Sequence, residues 1–164
     1  FSNIHQQTDD NKKPYNIADL VSQIARSYEG KITYIQPKRP EETVVRCVPD
    51  FIDIVVRNLV SNALEAVQEK KQGESNPSDV ILKLATAPEY VEISVEDKGT
   101  GIAEEKLHEI FLPDVSLKEN HLGLGLYLVS EIVNAHGGSV HVASRYGQGS
   151  KFKILLKKEE GGAA

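Results

Sequence analysis

The sequence predicts an α+β fold: a two-layer sandwich in which a mixed, mostly antiparallel sheet of about five strands carries three main helices on one face. Three observations predict it. Apolar residues recur at helical spacing in three stretches, near 16–27, 51–70 and 124–136. Between them, β-rich stretches come in neighbouring pairs separated by short polar or Pro/Gly segments, the pattern of hairpins. Strand and helix do not alternate one for one, as a βαβ architecture requires. No internal repeat is visible.

Residues 1–13, FSNIHQQTDDNKK, are polar and without period, and read as a linker remnant. Ile17, Leu20, Val21, Ile24 and Ala25 then mark an amphipathic helix that Gly30 stops. Ile32–Ile35 and Thr43–Val48 read as strands around the turn 37–42. Asp50 suits the N-cap of the longest helix, whose apolar set Phe51, Val55, Leu59, Ala63 and Ala66 gives a face for a sheet to cover. After the loop 71–79, Val80–Ala85 and Tyr90–Val95 alternate around Ala87-Pro88-Glu89 as a hairpin. Residues 98–121 hold a short helix near 103–110, and the helix 124–136 ends at Gly137-Gly138. Strands Ser139–Ser144 and Lys151–Leu156 flank the turn Arg145–Gly149. Residues 158–164 read as a disordered tail, which leaves 14–157 as one domain.

Composition narrows the function classes. With 164 residues, 40% of them hydrophobic, the chain can bury a single core. No apolar run reaches the ~20 residues of a membrane helix and no secretory signal opens the chain, so a soluble, cytoplasmic domain is expected. The net charge of −5 and the lack of a Lys/Arg cluster argue against nucleic acid as partner. An acidic protein that holds a polyanion must do so with local backbone donors or a metal ion. The lone Cys47, inside an apolar run, reads as a small core residue.

Four short patterns could carry chemistry. Asn58, Asn62 and Glu65 lie at i, i+4 and i+7, which puts two carboxamides and a carboxylate on one helical stripe. An Asn oxygen is a suitable hard ligand for Mg²⁺; a solvated polar face explains the stripe equally well. In Glu96-Asp97-Lys98-Gly99-Thr100-Gly101-Ile102, the period of 2 turns Asp97 to the same inward face as Val91, Ile93 and Val95. A carboxylate there costs several kcal/mol of desolvation unless it meets a strong donor, such as an exocyclic amine of adenine. Gly99 and Gly101 would let the backbone approach a planar ring; a capped turn at a strand end remains open. The third pattern, Leu122-Gly123-Leu124-Gly125, opens a helix, where free N–H groups and the helix dipole favour an anion. A flexible loop leading into a helix fits it too. Turn chemistry alone accounts for the fourth, Gly147-Gln148-Gly149-Ser150.

Taken in order, Asn-x-x-x-Asn, Asp-x-Gly-x-Gly, Phe-x-Pro, Gly-x-Gly and Gly-x-Gly-Ser resemble the N, G1, F, G2 and G3 boxes of histidine kinase catalytic domains. These belong to the superfamily shared with gyrase, Hsp90 and MutL, and the resemblance runs over about residues 14–157. It implies a Bergerat-type ATP-binding fold. By similarity Asp97 would hydrogen-bond the adenine amine, supported through water by Ser150, and Gly99, Gly101 and Ile102 would wall the base. Asn62 would ligate Mg²⁺, Asn58 would face the phosphates as the catalytic amide, and Leu122, Gly123, Leu124 and Gly125 would supply the phosphate-binding turn. Residues 103–121 would form a lid over the nucleotide, anchored by Phe111, with Lys118 as a phosphate contact.

Position 58 discriminates within the superfamily. Its hydrolysing members typically carry a Glu there to activate water, whereas Asn58 cannot accept that proton; an imidazole nucleophile needs no such base. Departures from the family pattern are His121 at the first G2 glycine, Asp114 at a frequent lid aromatic, Thr100 for a common proline, and Glu65 where a lysine or neutral residue is usual. None of His5, His108, His121, His136 and His141 reads as a phosphoacceptor or metal ligand. A Rossmann site fails because Leu128 stands where a third glycine is needed, and no Gly-Lys-Ser/Thr of a P-loop occurs.

The resemblance therefore implies a protein-histidine kinase domain that takes MgATP and phosphorylates a histidine on the dimeric helix-bundle domain of a longer parent. A response regulator would be the next partner in two-component signalling, the parent could be membrane-anchored, and this fragment alone would not label itself. An anti-sigma-type serine kinase and a nucleotide-binding pseudokinase that serves only interaction stand as alternatives.

Overall fold

The computed structural model describes residues 3–113 and 124–159. In chain order the elements are α1 (Ile4–Asn11), β1 (Lys13–Asn16), α2 (Ile17–Ser27), β2 (Thr33–Ile35), β3 (Val44–Cys47) and α3 (Pro49–Lys71). Then come β4 (Val80–Thr86), β5 (Tyr90–Asp97), α4 (Leu124–Ala135), β6 (Ser139–Arg145) and β7 (Gly149–Lys157). The main sheet has the order β2-β4-β5-β7-β6, with β2 parallel to β4 and the other neighbours antiparallel. This is the expected α+β sandwich.

Strand alternation decides which sheet face meets the helices. Leu82 and Leu84 of β4, Val91, Ile93 and Val95 of β5, and Ile154 and Leu156 of β7 are buried. Against them lie Val21 and Ile24 of α2, Val55, Val56, Leu59 and Val60 of α3, and Val129, Ile132 and Val133 of α4. Each such side chain contributes about 1.5–3 kcal/mol on burial, so this layer is what holds the fold. The opposite face carries Lys83, Glu96 and Lys151, which are exposed.

Local chemistry sets the helix ends. Asn16 caps α2 by accepting from the Asp19 N–H at 3.1 Å. Helix α4 ends with Gly137 at φ 72° and the Gly138 N–H on the Val133 carbonyl at 2.9 Å, a Schellman closure. Helix α3 starts two residues earlier than the sequence suggested. Val48 is its cap and Pro49 its first residue, so Asp50 sits in the first turn, where it favours the helix dipole rather than capping. The stretch 103–110 is a 3-10 turn over Glu104–Glu109 rather than an α-helix.

Both chain ends are more structured than their composition suggested. The polar stretch 1–13 contains α1, which packs on α4 and buries Ile4 and Thr8. It also contains the start of β1, which pairs with β3 in a separate two-stranded sheet. One apolar residue per turn is too faint a periodic signal to register in sequence, and the surface that covers it comes from far along the chain. At the other end, Lys158 and Glu159 donate backbone hydrogen bonds to Glu89 and Val44, at 2.9 and 3.0 Å, so the segment read as a tail begins paired. Cys47 is buried, and burial pushes its thiol up to about 12, which fits a packing role.

Candidate functional site

The site is best built from α3 outward. Asn58, Asn62, Ala66 and Lys70 follow one another at i+4, forming one ridge along the helix. At the first position, the Asn58 amide N–H donates to the Ile54 carbonyl at 2.9 Å, which fixes the side chain and leaves its oxygen facing outward. A Cβ placed on Gly125, in the first turn of α4, would lie 3.4 Å from that oxygen. At the third position, a Cβ on Gly99 would lie 2.6 Å from the Ala66 backbone, so only glycine lets the loop after β5 come this close to α3. At the fourth, the Lys70 ammonium donates to the Gly147 carbonyl at 2.7 Å. One ridge thus meets three of the glycine motifs. Asn62 is half-buried between the Asn58 and Ala66 contacts.

Asp97 ends β5 on the inward face, only 6% exposed. Its carboxylate accepts from the Gly99 N–H at 2.8 Å and from the Ser150 backbone N–H across the strand pair. Burial raises its pKa above the usual carboxylate range, the two backbone donors lower it, Glu96 raises it and Lys70 lowers it. Asp97 is therefore a desolvated acceptor. Its neighbour Ser150 is tied to Ser144, whose hydroxyl lies 2.7 Å away and also receives the Ile102 N–H at 2.7 Å. Gly101, at φ 71°, is backed by the Arg145 carbonyl, and the Thr100 carbonyl accepts from the Gly147 N–H at 2.6 Å. The loop after β5 and the β6–β7 turn accordingly form one wall.

At the rim, Phe111 meets Phe152 of β7 edge-on, with ring centroids 6.2 Å apart. Leu124 and Gly125 begin α4, while Lys118, Leu122 and Gly123, with His121 and Asp114, lie outside the described residues. Glu65, on the Asn58 stripe by its i+7 spacing, is exposed, whereas Asn58 and Asn62 are half-buried. Among the described residues no group of three His, Cys, Asp or Glu side chains could hold a metal ion. Asn58 and Asn62 offer amide oxygens, a donor type that suits a Mg²⁺ keeping most of its waters.

The structure adds residues that sequence reasoning missed. Ser144 was legible only through the hairpin register that sets it opposite Ser150. Lys70 continues the Asn58–Asn62 spacing by two further turns, a signal present in the sequence but without a partner there. His136 has a structural role: the Val48 N–H donates to its Nε2 at 3.1 Å, and its Nδ1 faces the Ile132 carbonyl at 2.8 Å. Its ring also meets Phe51 edge-on.

The family model for histidine kinase-, DNA gyrase B- and HSP90-like ATPases matches residues 47–160. Sensor histidine kinase ZraS of Escherichia coli (strain K12) is 37% identical over 137 residues, which cover 84% of this chain and 28% of that protein. Sporulation kinase D of Bacillus subtilis (strain 168) is 35% identical over 113 residues, covering 69% of this chain and 21% of that protein. The chain spans less than a third of the length of these curated relatives. Among solved structures, the nucleotide-free catalytic domain of histidine kinase ThkA superposes with a TM-score of 0.74 at 24% identity, covering 90% of this chain and 96% of that one. Full-length ShkA in complex with AMPPNP superposes at 0.71 and 25% identity, covering 90% of this chain and 31% of that one. No described helix is long and apolar enough to cross a membrane. On the strength of the matched model and the spacing of its boxes, the chain belongs to the histidine kinase-, DNA gyrase B- and HSP90-like ATPases, as the ATPase domain of a sensor histidine kinase.

Proposed function

We propose that residues 14–157 bind MgATP and transfer its γ-phosphoryl group to a histidine on a separate dimerisation and phosphoacceptor domain of a longer parent, in two-component signalling. The observation that carries this reading is the α3 ridge, which meets Gly125, Gly99 and Gly147 in turn. Asp97 accepts a hydrogen bond from the adenine amine in its ionised form, with Ser150 beside it. Gly99, Gly101 and Ile102 wall the ring. Asn58 and Asn62 face the phosphates, and backbone N–H groups of Gly123, Leu124 and Gly125 meet them at the start of α4. Asn62 would hold a Mg²⁺, which would supply charge neutralisation at the phosphates.

Asn58 has no basic lone pair to activate water, which favours transfer to a neutral imidazole over hydrolysis. Phosphoryl transfer asks the protein mainly for positioning and electrostatic stabilisation, and this is what the ridge and the glycine loops offer. Lys118 and Leu122 complete the phosphate side of the reading. The parent's helix bundle supplies the histidine, a response regulator receives the phosphoryl group afterwards, and the domain works on the cytoplasmic side.

Calorimetry of this chain with MgATP tests the first half: saturable binding with one nucleotide per chain is expected, and its absence ends the proposal. For the second half, the chain alone gains no acid-labile phosphate, whereas adding the parent's helix bundle yields phosphohistidine on the bundle. Binding without transfer would instead support the pseudokinase alternative.

A further inference from the structure

Gly147 joins three parts of the molecule through one residue. Its N–H donates to the Thr100 carbonyl at 2.6 Å, and its own carbonyl accepts from Lys70 at 2.7 Å. Thr100 lies between Gly99, which is packed on Ala66, and Gly101, which is backed by Arg145. Apart from these ties the β6–β7 tip is exposed, with Tyr146 at 74%. An exposed two-strand turn has little packing to hold it, so a charge-assisted hydrogen bond from the helix adds to the Thr100 and Ile102 bonds that fix its position.

The charges around Asp97 also single out Lys70. Glu96 on its own strand opposes ionisation, while Lys98 follows it along the chain. Lys71 on α3 is engaged by Asp79 at 2.8 Å, at the end of β4 that pairs with Asp97. Lys151 of β7 is paired across from Glu96 on the solvent side of the sheet, and Arg145 of β6 backs Gly101. Lys70 is the cation on α3 whose charge favours the ionised carboxylate.

We propose that Lys70 is a positioning residue for base recognition: it clamps the β6–β7 turn, and through Gly147 the Gly99–Gly101 wall, to α3. This inference rests on the nucleotide reading above and adds to it a residue outside the family boxes. Acting at the base end, Lys70 must affect ADP and ATP alike.

The test is the affinity of the 164-residue chain for MgADP and MgATP, measured by calorimetry from pH 5 to 8 for the parent sequence, Lys70→Met and Lys70→Arg. Lys70→Met is expected to weaken both nucleotides by the same factor, about 3- to 10-fold, the worth of one ordinary hydrogen bond. The pH below which binding fails should move upward in Lys70→Met, because Asp97 loses a favourable charge, and Lys70→Arg should restore both. Nucleotide-free melting curves check that the variants fold. Should Lys70→Met melt early, Lys70→Gln, which keeps a neutral donor, serves for the pH measurement. An unchanged affinity and pH profile in Lys70→Met would overturn the role while leaving nucleotide binding intact. A loss that is larger for ATP than for ADP would overturn it too, by marking a phosphate contact. No binding by the parent sequence would remove the nucleotide reading and this inference together.

Discussion

At Asp97 a single side chain carries opposing demands. Its Oδ1 is engaged by the Gly99 N–H, so in Asp97→Asn the amide oxygen would keep that contact and turn its NH₂ toward the adenine amine, donor against donor. Asp97→Asn should therefore weaken nucleotide binding by ~10- to 150-fold, the range for a hydrogen bond to a charged group, as calorimetry would read. The same change should stabilise the nucleotide-free fold at neutral pH. Burial raises the folded pKa of Asp97, so the native state holds its proton more tightly than the unfolded chain and the group costs stability as pH rises from about 3.8 through the folded value. Unfolding by urea at pH 7 checks this, and a less stable Asp97→Asn would contradict it. His136 has the opposite sign. Its Nε2 accepts from Val48, and a proton there would oppose a donor and the positive end of α3, while burial lowers its pKa. Its contribution is full above pH 6.5 and is lost as pH falls toward the depressed folded value. His136→Gln should remove this part of the acid sensitivity, visible as a flatter plot of stability against pH below 6.5.

Helix α3 is the element that organises the site, because one helix offers two different rows. Its apolar row is absorbed by the sheet, α2 and α4, and the row Asn58–Asn62–Ala66–Lys70 is left to meet loops. Helix α1 shows the reverse situation, an element held by very little. Only Ile4 and Thr8 are buried, and the Thr8 hydroxyl, fully buried, has no hydrogen-bond partner. A buried unpaired hydroxyl costs ~1–3 kcal/mol, so Thr8→Val, equal in shape and without the unmet group, should raise the melting temperature by about 2–12 °C. A lower melting temperature would mean that the hydroxyl is satisfied when α1 docks. These two elements also mark how far sequence patterns reach. The long amphipathic row of α3 and the inward position of Asp97 follow from periods of 3.6 and 2, which are local properties. Helix α1 and the β1–β3 pair were not legible, because each depends on surface supplied by a distant part of the chain; for the Val48 cap, Pro49 at the first helical position was a local signal.

For the whole molecule, the sheet and helices form the rigid part, while the site is assembled from loops that meet α3 from Asn58 to Lys70. A ligand that binds only this assembled state must stabilise the fold by mass action. MgATP at one hundred times its Kd should add about 2.7 kcal/mol, or roughly 5–10 °C in melting temperature for a domain of this size. Scanning calorimetry with and without nucleotide would read it, and an unchanged melting temperature would count against a folded nucleotide site. The amino-acid sequence alone determined the α+β class, the three main helices and the order of the five boxes, since hydrophobic period and motif spacing are written along the chain. Tertiary structure alone decided that Lys70 joins the polar ridge, and that Ser144 stands between Ser150 and Ile102. The physical reason is that a hydrogen bond or a close backbone approach has two ends. A sequence names the side chain at each end, but only packing of the helix layer on the sheet brings residues as far apart as Lys70 and Gly147 within 2.7 Å.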